Sequence, residues 1–115
     1  TKKVLVIGAT GYIGNYVVKT LLRLGFFPIC PIRANNQCFA KKHNLSINQV
    51  PMWEIRNLDS VKKLFKKNHD AHAIISCISS RTGVRKDTWD VDFSLNMHLL
   101  NGAKFAGIKK FIYLK

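Results

Sequence analysis

The sequence predicts an α/β fold, a doubly wound parallel sheet, and three observations carry that reading. Short β-rich apolar runs alternate with helical segments or short crossovers along the whole chain, and such alternation favours parallel strands joined by right-handed crossovers. The first run ends in a cluster of glycines that opens directly into a segment of helical period. No internal repeat, low-complexity tract or linker interrupts the pattern, so residues 1–115 read as one domain with strands ordered 3-2-1-4-5.

Val4-Leu5-Val6-Ile7 is a continuous apolar run, as expected of a strand buried on both faces, and Gly8 closes it. Residues 11–24 change period: Ile13, Val17, Leu21 and Leu24 fall at helical spacing, and Gly25 stands where a helix-ending glycine belongs. Residues 26–32 read as a second strand made irregular by Pro28 and Pro31, which remove two ladder donors. Residues 34–48 are polar, with at most a short helix near 37–43, and residues 49–55 return to strand character. Asn57 precedes a short helix with Val61, Leu64 and Phe65 inward and four lysines outward. Residues 71–78 form another buried strand, followed by a polar loop over 79–87. Thr88 then caps a helix that carries Leu95, Leu99, Ala103 and Ala106 inward and ends at Gly107.

Residues 110–114 are a last apolar strand. A parallel strand of this kind calls for cover by further chain or by a partner. The expectation is an N-terminal portion of a longer protein, lacking a C-terminal substrate-binding part, or an edge covered by another subunit.

The apolar fraction of 47% excludes disordered and collagen-like classes. No stretch approaches the ~20 apolar residues of a spanning helix. Thr1-Lys2-Lys3 and the short run after it do not read as a signal peptide, and a transit peptide removed before Thr1 stays open. The net charge is +13, from 19 Lys and Arg against 6 Asp and Glu. Such a field attracts acidic partners: nucleic acid, anionic membrane, acidic protein surface or phosphorylated ligands. Nucleic acid ranks last of the readings considered, because no aromatic stacking platform is interleaved with the lysines. Three cysteines without a CxxC pair fit a reducing compartment better than a disulfide framework or a zinc site. His69 and His72 flank Asp70 with no further ligand to complete a metal site, and Ser76 and Ser79 have no evident partners for a hydrolase triad.

Gly8-Ala9-Thr10-Gly11-Tyr12-Ile13-Gly14 carries the chemistry. Its GxxGxxG spacing is a variant of the dinucleotide fingerprint, and it makes the fold Rossmann-type. Gly8 makes the turn out of the strand, Gly11 admits a pyrophosphate close to the backbone, and Gly14 lets the helix pack on the sheet. The N–H groups at the helix start, among Thr10, Tyr12 and Ile13, supply the anion site. The bland alternative is a tight strand-to-helix turn, but the flanking strand, helix and later pattern all meet the required context. An NAD site usually places an acid at the end of the second strand, ~20 residues on, to hold the ribose 2′-OH. Here that strand ends Pro31-Ile32-Arg33, and no acid precedes Glu54. Arg33 offers a planar guanidinium for a 2′-phosphate, which favours NADP; a solvated arginine is the alternative. Glu54, at the end of the third strand, either accepts from the adenine amine or pairs with Arg56 as a surface acid.

The opening VLVIGATGYIGNYVVKTLLRLG resembles the first βα unit of the atypical short-chain dehydrogenase/reductase superfamily. The run Ser76-Cys77-Ile78-Ser79-Ser80-Arg81-Thr82-Gly83 is similar to a loop of the divinyl chlorophyllide a 8-vinyl reductase family, and Lys86-Asp87-Thr88-Trp89-Asp90-Val91-Asp92-Phe93 follows at that family's spacing. The resemblance covers nearly the whole chain; the glycine motif is common to the superfamily and the later stretch is far more specific. It implies an NADPH-dependent reductase of a tetrapyrrole's vinyl group in plastids. It also implies a loop after the fourth strand that places Ser79, Ser80 and Arg81 near the cofactor, an ordinary polar loop being the alternative. Two departures stand out. Trp53 and Glu54 replace the usual glycine and aspartate at the third strand, where an indole narrows the adenine pocket. The superfamily's Tyr-xxx-Lys pair lies beyond the fifth strand where present, and this sequence has none, so it names no catalytic residue. A second reading is an NADPH-binding subunit without turnover, as in the accessory subunit of mitochondrial respiratory complex I. Such a module docks through its basic face on acidic neighbours or an anionic surface.

Overall fold

The computed structural model describes residues 2–33, 35–53, 58–78 and 85–114, with residues 85–95 described by their backbone alone. Four parallel strands, β1 (Lys3–Ile7), β2 (Phe27–Ile29), β3 (Ala73–Ser76) and β4 (Phe111–Tyr113), form one sheet in the order β2-β1-β3-β4. Helices α1 (Tyr12–Arg23) and α2 (Asn36–His43) cover one face; α3 (Leu58–Lys67) and α4 (Arg85–Ala106) cover the other. This is the expected doubly wound arrangement, with Leu5 aligned with Ile29 on one side and Ile74 on the other.

The expected third strand over 49–55 is corrected. Gln49 ends a 3-10 turn (Ile47–Gln49), and among the described residues the segment after it makes an isolated bridge, Ile32 to Met52. Ladder bonds do form there: Cys30 N–H to the Gln49 carbonyl (2.7 Å), Ile32 N–H to the Pro51 carbonyl (3.0 Å) and Trp53 N–H to the Ile32 carbonyl (2.9 Å). The donor that this register requires for the Cys30 carbonyl falls at Pro51, which has none, so the ladder is broken in its middle. Residues 54–55 lie outside the described residues. Proline also sets the end of β2. Phe27 N–H bonds the Lys2 carbonyl at 2.9 Å, and alternation along the strand then turns Pro31 toward β1 with nothing to donate. Pro28 faces the other way, where its carbonyl accepts from Gln49 Nε2 at 3.1 Å.

The stripe expected on α1 holds at Leu21 and at Val17, which packs against the core, and is corrected at its two ends. Gly14, Val18 and Leu21 are buried, whereas Ile13 is 38% and Leu24 66% exposed. The helix start packs on the glycine turn where it has no side chain: a Cβ on Gly14 would lie 2.7 Å from Ala9 Cα and closer still to the Gly8 carbonyl oxygen. That contact fixes the helix's rotation and puts the apolar Ile13 on its flank. The C-terminus behaves as expected. Gly25 has φ +87°, and Phe26 N–H bonds the Leu21 carbonyl at 2.9 Å, a Schellman closure.

α3 buries Val61, Leu64 and Phe65 as its spacing predicts, against Leu5, Ile74, Leu99 and Ala103. Thr88 does not begin α4; the helix starts three residues earlier, at Arg85, and the Leu95 side chain lies outside the described residues. α4 is anchored to the sheet by a buried polar pair in which Ser76 Oγ donates to Asn96 Oδ1 at 2.5 Å.

Candidate dinucleotide site

β1 is buried on both faces and delivers the chain to the C-terminal edge of the sheet, where Gly8 turns it with φ +82°. A Cβ there would sit 3.0 Å from the Cys77 carbonyl carbon, so both conformation and space exclude a side chain. The turn closes with Gly11 N–H on the Gly8 carbonyl at 3.3 Å, and α1 begins at once. Gly11 is the N-cap and supplies no side-chain cap, and the first turn holds no acid. The helix's leading N–H groups and the positive end of its dipole therefore meet the space beyond the turn without a side chain to satisfy them. A Cβ on Gly11 would touch nothing nearer than the Gly8 carbonyl oxygen at 3.7 Å. Internal packing does not demand glycine at that position, and a group approaching from outside gives it a role.

The turn opens on a cleft of about 730 Å³ at the strand ends. Of the residues singled out in the sequence, Gly8, Thr10 and Arg33 line it. Gly11, Gly14, Tyr12 and Ile13 build the turn and helix start, but the Tyr12 and Ile13 side chains stand away from the cleft, exposed on α1. Glu54, Ser79, Ser80 and Arg81 lie outside the described residues. Trp53 does form part of the wall, its indole fixed by a 3.2 Å bond from Nε1 to the Ser60 carbonyl. Arg33 and Lys42 are the charged residues lining the cleft among those described, and no acid joins them. A pyrophosphate with an adenosine half fits this donor set: backbone N–H groups, two cations, an indole and the Phe39 ring.

Several site residues were not anticipated. Cys38, Phe39 and Lys42 enter from α2, whose brevity hid the four-residue spacing that places Cys38 and Lys42 on one face. Asn15 was also missed. Its Nδ2 donates to the Thr10 carbonyl (3.0 Å) and the Gly11 carbonyl (2.8 Å), while its Oδ1 lies 2.8 Å from His43 Nε2. The available signal was its place four residues after Gly11, within reach of the turn it follows. Of the nearby thiols, Cys30 is pushed up to about 12, chiefly by burial and further by Cys77, and Cys77 is raised by burial; neither ionises readily. At the opposite end of the sheet, Asp70 pairs with Lys3 at 3.0 Å and His72 Nε2 faces Lys110 Nζ at 3.3 Å. No three His, Cys, Asp or Glu side chains gather into a metal-binding group among the described residues.

The sequence profile of the NAD dependent epimerase/dehydratase family matches residues 4–115. The chain belongs to that family. The chain is 32% identical to the chloroplastic divinyl chlorophyllide a 8-vinyl-reductase of Oryza sativa subsp. indica, over 96% of this chain and 29% of that protein. It is 28% identical to NADH dehydrogenase [ubiquinone] 1 alpha subcomplex subunit 9, mitochondrial, of Rattus norvegicus, over 95% of this chain and 29% of that protein. The chain thus spans less than a third of the length of these curated relatives. The UDP-glucose 4-epimerase of Bifidobacterium longum, solved with NAD+ and UDP, superposes with a TM-score of 0.77 at 19% identity, over 97% of this chain and 36% of that one. That likeness establishes the fold. Membership supports an NAD(P)-dependent, short-chain-dehydrogenase-like class and a nicotinamide dinucleotide as the ligand class.

Proposed function

We propose that this chain is the cofactor-binding part of an NADPH-dependent reductase similar to divinyl chlorophyllide a 8-vinyl-reductase. The observation that carries the reading is the cleft, where an uncapped helix N-terminus and Arg33 face one space that no described acid lines. The turn from Gly8 to Gly14 takes the pyrophosphate on backbone N–H groups, and Arg33, exposed on the cleft wall, takes the 2′-phosphate. Glu54 on the adenine edge and Ser79, Ser80 and Arg81 toward the nicotinamide complete the proposed set. When bound, NADPH supplies hydride from the nicotinamide C4 to a vinyl carbon–carbon bond of a tetrapyrrole. The residues of this chain bind and orient it, and none of them is assigned the proton. The names of the relatives support an organellar setting, plastid before mitochondrion.

A second reading is favoured by the likeness to the complex I subunit and by the +13 charge: an accessory subunit that holds NADPH without turnover, docked on acidic neighbours or an anionic surface.

The test is a titration of the full-length protein with NADPH and NADH, wild type against Arg33→Ala. Loss of a charge-assisted contact to the 2′-phosphate weakens NADPH by about tenfold or more and leaves NADH unchanged. Equal loss for both cofactors removes that role from Arg33. Turnover of divinyl chlorophyllide with NADPH then separates the reductase from the accessory subunit.

A further inference from the structure

Resting on the dinucleotide reading, we propose that Asn15 and His43 are a positioning pair that locks the phosphate-binding turn to α2, so that the turn and the cleft wall carried by α2 bind the cofactor as one rigid unit. Asn15 stands one residue past Gly14. Both carbonyls that its Nδ2 reaches, Thr10 at 3.0 Å and Gly11 at 2.8 Å, belong to the turn. In a trans peptide the C=O and the following N–H point opposite ways. The Gly11 carbonyl already accepts the Asn15 backbone N–H at 2.9 Å, and the second bond from Nδ2 reinforces that direction, which aims the Tyr12 N–H forward, out of the helix start. The Asn15 side chain thus braces the turn behind an anion donor without touching the anion.

Because the amide nitrogen donates twice, its oxygen must face α2, which settles the side chain's orientation. Oδ1 then needs a donor. His43 Nε2 lies 2.8 Å away, and Lys42 Nζ adds a longer contact at 3.4 Å. The geometry assigns the His43 proton to Nε2. His43 is 6% exposed, with its ring 4.5 Å from that of Phe39, so it has one way to sit. Burial first, then Lys42 beside it and Lys19 from α1, disfavour the imidazolium. Phe39 and Lys42, on the same helix, line the cleft. One amide therefore joins the phosphate turn to the wall where the adenosine half would lie.

The experiment measures dissociation constants for NADPH and for 2′,5′-ADP, with melting temperatures, in full-length wild type, Asn15→Ala, His43→Phe and His43→Gln. Phe keeps the ring packing and removes the donor; Gln restores a donor near the Nε2 position. Asn15→Ala and His43→Phe are expected to weaken both ligands by about tenfold, the loss of one part-buried hydrogen bond's worth of order, while His43→Gln recovers most of it. A change that follows packing alone would spare His43→Phe. Wild-type affinity in Asn15→Ala, or equal affinity in His43→Phe and His43→Gln, overturns the pair while the dinucleotide reading stands. A wild type that binds neither NADPH nor NADH overturns the dinucleotide reading, and the pair with it. Nitrogen-resolved NMR of the histidine ring adds a readout that needs no ligand: a proton on Nδ1 alone overturns the assignment.

Discussion

On the face of the sheet covered by α3 and α4, the row Leu5, Ile74, Phe111 runs under Phe65 and Leu99, and Leu5, Ile74, Phe65 and Leu99 are fully buried. On the opposite face the matching row is Val6, Ile75, Ile112. Val6 is buried under α1, Ile75 is half-buried, and Ile112 is 45% exposed. The exposed flank of α1 continues that uncovered strip with Ile13 and Tyr16. Each face buries an apolar cluster of similar extent, but the face under α1 and α2 also carries the tight contact of Gly14 on Ala9 that shapes the turn facing the cleft. Both faces therefore contribute to stability, and binding responds to residues of one of them.

The largest effect is expected at the centre of the closed face. Phe65→Ala removes a fully buried ring from between Val61, Leu99 and the sheet, and is expected to cost about 3–5 kcal/mol in denaturant unfolding. A cost near zero would mean that α3 and α4 do not close that face, and the contrast between the faces would collapse.

The same division explains what could be read from the sequence. The closed face was legible, because α3 follows a simple periodic stripe and its predicted inward set, Val61, Leu64 and Phe65, is the observed one. On α1 the expected Leu21 is buried and Val17 packs against the core, but Ile13 and Leu24 were misplaced. Periodicity rewards large apolar side chains such as Ile13 and Leu24, whereas the real contact is made by Gly14, which has no side chain to score. The third strand looked continuous because β-propensity is read residue by residue. Its failure at Pro51 depends on which neighbour's carbonyl the missing donor would have served. In the candidate site, the glycine turn and Arg33 were visible as local chemistry. Asn15, Lys42 and His43 were not, because their meaning lies in contacts across 27 or 28 residues of sequence.

A smaller effect separates the faces by pH. Burial first, then Lys42 and Lys19, hold His43 below its ordinary value of 6.5 in the folded chain. Below that value the unfolded chain binds the extra proton and the folded chain resists it, so stability rises with pH there. The stability tied to neutral His43 is complete above 6.5 and is lost as pH falls from 6.5 toward the depressed folded value. His72, near Lys110, shifts in the same direction, so the informative quantity is a difference between proteins. Melting temperatures of wild type and His43→Gln, followed from about pH 8 to about pH 5, should diverge in slope below 6.5, with the variant flatter. Parallel curves would mean that α2 is not held to α1 through a neutral ring.

The smallest effect belongs to the uncovered strip. Ile112→Ser exchanges an apolar side chain for a polar one at a position already 45% exposed, and is expected to change stability by no more than about 0.5 kcal/mol. Ile74, one strand over and fully buried on the other face, sets the scale: truncation to Ala there is expected to cost about 2–5 kcal/mol. The pair tests the comparison in the full-length protein with the residue type held constant, since both positions are isoleucines in neighbouring strands. Should Ile112→Ser approach the cost of Ile74→Ala, Ile112 would have to be buried in that protein by contacts beyond those described, and the strip would be an interior surface. Should the cost stay small, the strip is open surface and the asymmetry between the faces is a property of the folded protein itself.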